Sequence, residues 1–247
     1  MSVSEPLGSL AWLERTQGVV STGERVKLYA SVFGSLVEGL GLSLRAIATG
    51  RRRVPLTGFE PPATPMVNAA REHLKKVATA PWSNHSHRTA FWTQLVLSQH
   101  GELTDRDRET AWVAALLHDI GLEVPPARGD FSQTGVDVLK QLAHRHRWSE
   151  EQTHQALEAI AINLSLGVDK VKAGPIAWAM NVGGAGDFGY APHRAQWHPS
   201  MRRELDARFP RAGFRKASLE AIGREIARLP NGRFAFFRPL FALLLWD

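Results

Sequence analysis

Apolar residues recur along most of this chain at helical spacing, and no stretch alternates with the period of two that a half-buried strand needs. The pattern predicts helices over about 65–78, 83–99 and 132–147. A further helix begins after Thr104, an N-cap type followed by Asp105 and Asp107, and runs through Trp112 and Leu116 to Asp119 before Gly121 stops it. Ser149, with Gln152 three residues on, has a capping-box pattern and opens a helix ending near Leu164. Pro175 suits the first turn of a helix over 175–188. Upstream, Val26, Leu28, Tyr29, Val32, Leu36, Leu40 and Leu44 give helical spacing over Gly23 to Ile47, weakened by Gly34, Gly39 and Gly41. Val54 to Pro65, rich in proline, reads as a linker or extended arm. Beyond Pro199 two more helices are expected, then an apolar end from Phe234 to Trp246, docked on the domain or in a subunit interface.

The expected fold is therefore an all-α helical bundle, with an N-terminal extension (1–65), a helical core (66–190) and C-terminal helices packed on it (191–247). Apolar residues at 44% are enough for a sizeable core. The chain has no cysteine, so disulfides and thiolate metal sites are excluded and any metal must sit on His, Asp or Glu. Met1 to Leu10 lacks the basic start and apolar run of a signal peptide, and Glu38 and Arg45 break the longest apolar stretch, so a cytoplasmic protein without a membrane span is expected. The formal charge is +6, with arginine concentrated at 51–53 and in the C-terminal quarter. Those arginines alternate with acids, which points to a solvated face rather than a nucleic-acid surface.

The chemistry concentrates in Ala114-Ala-Leu-Leu-His-Asp-Ile-Gly-Leu122. His118 and Asp119 are adjacent polar residues at the end of an apolar helix. Burying both is costly unless they are paired or hold a metal. Neighbours on a helix point about 100° apart, so both reach one ion only if it sits near the helix end.

With His85 in Asn84-His-Ser86 before it and Asp187 in Gly183-Gly-Ala-Gly-Asp-Phe-Gly189 after it, this segment resembles the HD-domain superfamily of metal-dependent hydrolases. The "NHS" before a helix carrying Phe91 and Trp92, the "ALLHDIGL" run, Phe131 with Gly135, and "EAIAI" at Glu158 to Ile162 are similar to the cyanamide hydratase-like branch. The resemblance implies that His85, His118, Asp119 and Asp187 bind one divalent ion, with Zn the first expectation and Fe, Mn or Co the others. It implies activated water and proton transfer by Asp119. It also leads one to expect a histidine where this chain has Asn163, which can orient a substrate but cannot act as a general acid or base.

Around these, His154, Arg88, Trp92 and Phe131 are candidates for the substrate pocket, the two aromatics being core residues otherwise. His87 is expected to be structural, and His144 and His146 to lie on the surface at a helix end. Glu123 and Asp130 are loop acids after the motif, candidates for a proton carrier at the pocket mouth and solvated side chains otherwise. Three functions follow: addition of water to a nitrile or cyanamide-like small molecule; hydrolysis of a nucleotide or other phosphate ester, which predicts basic side chains at the site where only Arg88 stands near; or an inactive scaffold binding nucleic acid or a regulatory partner. A small-molecule substrate is the expected partner, and the apolar end suggests a homo-oligomer.

Overall fold

Several of the expected helices start at a side-chain cap, as at Thr64, Thr104 and Ser149. In this computed structural model, which describes residues 6–30, 41, 44, 53–101, 103–165 and 167–237, the main helices are α1 (Leu10–Thr16), α2 (Pro65–Val77), α3 (Ala80–Ser98), α4 (Asp105–Leu117), α5 (Ser132–His146), α6 (Glu150–Ile162), α7 (Pro175–Phe188), α8 (Pro199–Arg208) and α9 (Phe214–Arg228). No strand occurs among the described residues. Only an isolated bridge joins Val19 to Gly232. The fold is all-α.

Thr104 and Asp107 form the full capping box of α4. At α6 only half of the expected box exists: Ser149 accepts the amide of Gln152, but the Gln152 side chain turns to Glu109 instead of back to the cap. Helix α3 starts a turn before the expected 83, because Pro81 fits its first turn and Glu123 accepts bonds from both the amide and hydroxyl of the N-cap, Thr79. The pattern gave no sign of α1, a seven-residue helix capped by Ser9. Residues 22–30 are helical, and the rest of the stretch expected to be helical up to Ile47 lies, apart from positions 41 and 44, outside the described residues. The expected linker at 54–65 instead carries a 3-10 turn, Leu56–Phe59, that buries Leu56 and Phe59.

Helix α3 lies against α4, α7 and α9, and α6 packs on α4, α5 and α7. Two glycines permit close approach. A Cβ on Gly183 of α7 would come within 2.9 Å of the Thr93 amide nitrogen on α3, and one on Gly135 of α5 within 2.5 Å of the Leu117 carbonyl. The hydrophobic core draws on all three stretches of the chain: Trp12 and Leu13, then the middle helices, then Phe214, Phe234 and Phe237. Phe234 and Phe237 show the apolar end docked inward as far as 237. No helix among the described residues is long and apolar enough to cross a membrane.

Candidate metal centre

Helix α4 ends at Leu117, with His118 as its C-cap. Asp119 then leaves helical geometry at φ −111°, ψ 7°, ahead of a 3-10 turn over Ile120–Leu122. This break lets two adjacent side chains converge, which a continuing helix would not. His118 Nε2 lies 3.1 Å from Asp119 Oδ2, and His85 Nε2, arriving from α3, lies 3.3 Å from the same oxygen. One ligand atom from each of His85, His118 and Asp119 falls within 4.8 Å of the other two.

The protons on these rings follow from their outer partners. His118 Nδ1 faces the Ala115 carbonyl oxygen at 2.7 Å. A carbonyl only accepts, so Nδ1 carries the hydrogen and the Nε2 lone pair faces the cluster. His85 Nδ1 likewise donates to Asp187 Oδ2 at 2.7 Å. With both rings neutral, two imidazole lone pairs and a carboxylate aim at one buried point, an arrangement that calls for a cation between them. Nε2 of His118 has no hydrogen-bond partner among the described residues, although it is fully buried. This donor set fits a divalent ion. Burial pushes Asp119 upward in pKa, but the two imidazoles outweigh it and hold the carboxyl well below the usual carboxylate range. Burial lowers His85, and the carboxylates of Asp119 and Asp187 outweigh that and raise it.

Asp187, near the end of α7, stands on the far side of the His85 ring. Its carboxylate accepts from His85, from Arg88 Nε at 2.9 Å, from Arg211 Nη1 at 3.0 Å and from Trp92 Nε1 at 3.4 Å. Arg211 also donates to the Asp187 carbonyl. Burial would raise its pKa. Arg88, His85 and Arg211 reverse that and keep it ionised. Arg88 donates further to the Phe209 carbonyl.

The centre opens on a cavity of about 80 Å³. His85, Asp119, Asn163 and Ser165 are polar groups in its wall, and Leu122, Phe131, Phe188, Phe234 and Phe237 make most of the rest. No lysine or arginine lines it among the described residues. Asn163 Nδ2 lies 3.5 Å from Asp119 Oδ1, at the outer limit for a hydrogen bond.

Of the residues expected in the pocket, Phe131 and Asn163 line it. Arg88 and Trp92 do not, because both are turned to Asp187, and Trp92 also stacks on Trp197 with ring centroids 4.0 Å apart. His154 is exposed and borders a separate surface recess with His144. The reason is helical phase: nine residues from Asn163 amount to two and a half turns, which places His154 on the opposite face of α6 and about 13 Å away. Asp130 is no pocket-mouth acid. It is buried and paired with Arg233. His87 is structural, bonded to the Ser83 carbonyl and stacked on Phe209. Tyr190, Ser165, Phe234 and Phe237 were missed. Tyr190 lies three residues past Asp187 and could have been suspected, whereas nothing local marks Phe234 as a neighbour of a histidine 149 positions earlier.

No curated protein matches the chain. The family model of the HD domain matches residues 82–176, a stretch that contains His85, His118 and Asp119 and ends before Asp187. HD domains are typically metal-dependent hydrolases that bind divalent ions, and the cluster of two histidines and one aspartate could hold such an ion. The match supports placing residues 82–176, and the centre they carry, in the HD-domain superfamily.

Proposed function

We propose that this chain is a metal-dependent hydrolase or hydratase acting on a small, uncharged molecule, with a nitrile or cyanamide-like group as the preferred target. The observation that carries this reading is the setting of the cluster. His85, His118 and Asp119 converge at the wall of a small, mainly apolar cavity without a basic side chain among its described residues. A phosphate ester brings at least one negative charge, and a pocket for it is expected to supply arginine or lysine. Arg88, the one basic residue near His85 in sequence, is committed to Asp187.

His85 and His118 would hold the ion through Nε2, and Asp119 through Oδ2. When bound, a divalent ion lowers the pKa of water toward neutrality and polarises an electrophile. Asp119 is placed to take a proton, since its Oδ1 remains directed toward Asn163 at the cavity wall. Asn163 would orient the substrate through its amide. Asp187 would act on His85, fixing the ring and tautomer rather than reaching the ion.

The test is elemental analysis of protein purified without chelator, followed by a substrate screen. Wild type should carry roughly one divalent ion per chain, and His118→Ala combined with Asp119→Ala should lose it. The loaded protein should hydrate cyanamide or a small nitrile faster than it hydrolyses a phosphate monoester, and the double variant should do neither. Phosphate release without hydration would overturn the substrate class. Failure to bind Zn, Mn, Fe or Co salts would overturn the enzyme reading itself.

A further inference from the structure

The cavity beside the metal centre is small, with a volume of about 80 Å³. A dry apolar cavity of roughly 150 Å³ is enough to hold benzene, so about half that space suits a molecule of roughly three or four non-hydrogen atoms. Part of the wall comes from the C-terminal turn, where Phe234 is 5% exposed and its ring centroid lies 4.8 Å from that of Phe131. This turn is pinned on both sides. The Val20 amide donates to the Asn231 carbonyl at 2.9 Å, Val19 bridges to Gly232, and Arg233 donates to Asp130, Ser132 and the Ala161 carbonyl. Moving the turn outward to widen the cavity costs these bonds, and the packed rings leave little slack.

The wall also selects by polarity. His85 Nε2 and Asp119 Oδ2 face the cluster, and the Ser165 hydroxyl donates to the Leu7 carbonyl at 3.4 Å. The Asn163 amide, 3.5 Å from Asp119 Oδ1, is placed to meet a reacting group beside that carboxylate. Leu122, Phe131, Phe234 and Phe237 offer the body of a bound molecule only carbon. A methyl or ethyl group gains by leaving water for such a wall, whereas an amino group in its place gives up its hydrogen bonds to water.

We propose that this cavity takes a short alkyl nitrile, of the size of acetonitrile or propionitrile, in preference to cyanamide or an aromatic nitrile, and that Phe234 sets the limit on size. The substrate class rests on the hydration reading above, and the size limit rests on the cavity alone. Addition of one water forms a carbon–oxygen bond at the nitrile carbon, places both hydrogens on nitrogen after proton shift and gives the amide, with nothing oxidised and no group released.

Two measurements on the full chain, as purified with its metal, separate these parts. The first uses the unreactive probes xenon and benzene, followed through the NMR signals of the Asn163, Ser165 and Phe234 amides. Wild type should take up xenon and leave benzene unbound, and Phe234→Ala should bind benzene. The second measures nitrile hydration. In wild type, kcat/KM for benzonitrile should lie roughly 100-fold or more below that for propionitrile, and Phe234→Ala should narrow the gap about tenfold. KM should be lower for acetonitrile than for cyanamide, which differs from it by an amino group in place of the methyl. Metal content should match wild type, because Phe234 stands outside the cluster. If Phe234→Ala does not fold, Phe234→Leu supplies the answer: it should raise kcat/KM for butyronitrile relative to propionitrile. Benzene bound by wild type, or wild-type preferences in the folded variants, would overturn the size limit. A lower KM for cyanamide than for acetonitrile would overturn the alkyl preference. If the probes behave as stated and no nitrile is hydrated, the hydration reading and the substrate class fail while the size limit stands.

Discussion

The two nitrogens of His85 face different partners: Nδ1 gives its hydrogen to Asp187, and Nε2 looks toward Asp119 and the cluster. The ring is further confined by Phe214, stacked with centroids 4.8 Å apart, and by Trp82 and Phe188 edge-on. His118 and Asp119 could be picked from the chain because a polar pair at the end of an apolar helix calls for an explanation, whereas His85 joined them only through the order that the family resemblance implies. Asp187 could be picked too, but its partners could not. Its grouping with the ligands came from order along the chain, and only the fold shows its carboxylate shared among His85, Arg88, Arg211 and Trp92. The two placements predict different variants. If Asp187 orients His85, Asp187→Asn keeps an acceptor oxygen and should lower metal affinity about 10- to 100-fold while leaving the loaded stoichiometry intact at saturating metal. Competition with a chromophoric chelator measures this. Loss of binding as complete as in the His118→Ala, Asp119→Ala variant would return Asp187 to the ligand set.

Helices were legible where an apolar run followed a capping or first-turn residue, as at Thr104, Ser149 and Pro175. They were less so where the signal was tertiary. The early start of α3 depends on Glu123, more than 40 residues away, and α1 is too short to show a period. The lateral fit of the helices was not legible either. Gly135 stood out in the sequence only as part of a resemblance, whereas the fold gives it a physical reason: α5 crosses the end of α4 at the Leu117 carbonyl, with the Ile160 side chain 3.1 Å from where a Cβ would sit. Gly135→Ala gains helix propensity, worth about 1 kcal/mol, but forces backbone against side chain beside His118. The clash should win. We expect a net loss of about 1–3 kcal/mol in urea denaturation, together with weaker metal binding because the end of α4 carries His118. Unchanged or increased stability would show that α5 can shift without disturbing the centre.

Division of the chain into three successive stretches describes its order, but the buried side chains run across those divisions. Arg233 shows this most directly. Its guanidinium is 1% exposed, donates to Asp130 at 2.7 Å, to the Ala161 carbonyl at 2.7 Å and to Ser132 at 2.9 Å, and lies 5.5 Å from the centroid of the Trp12 ring. One side chain thus ties the N-terminal helix, the loop before α5, the end of α6 and the C-terminal turn, and its neighbour Phe234 lines the cavity. A buried ion pair adds little net stability over an apolar pair, but removing one member leaves the other charged and unsolvated. Arg233→Met should therefore cost about 3–5 kcal/mol, and adding Asp130→Asn should recover part of that by removing the stranded charge. Chemical denaturation of the two single variants and the double measures both. The same substitution frees Phe234 and Phe237 to move away from the cavity, so the folded Arg233→Met protein should bind its small substrate more weakly while keeping its metal. A loss of metal equal to the loss of substrate binding would mean that Arg233 supports the centre itself and not the wall of its cavity.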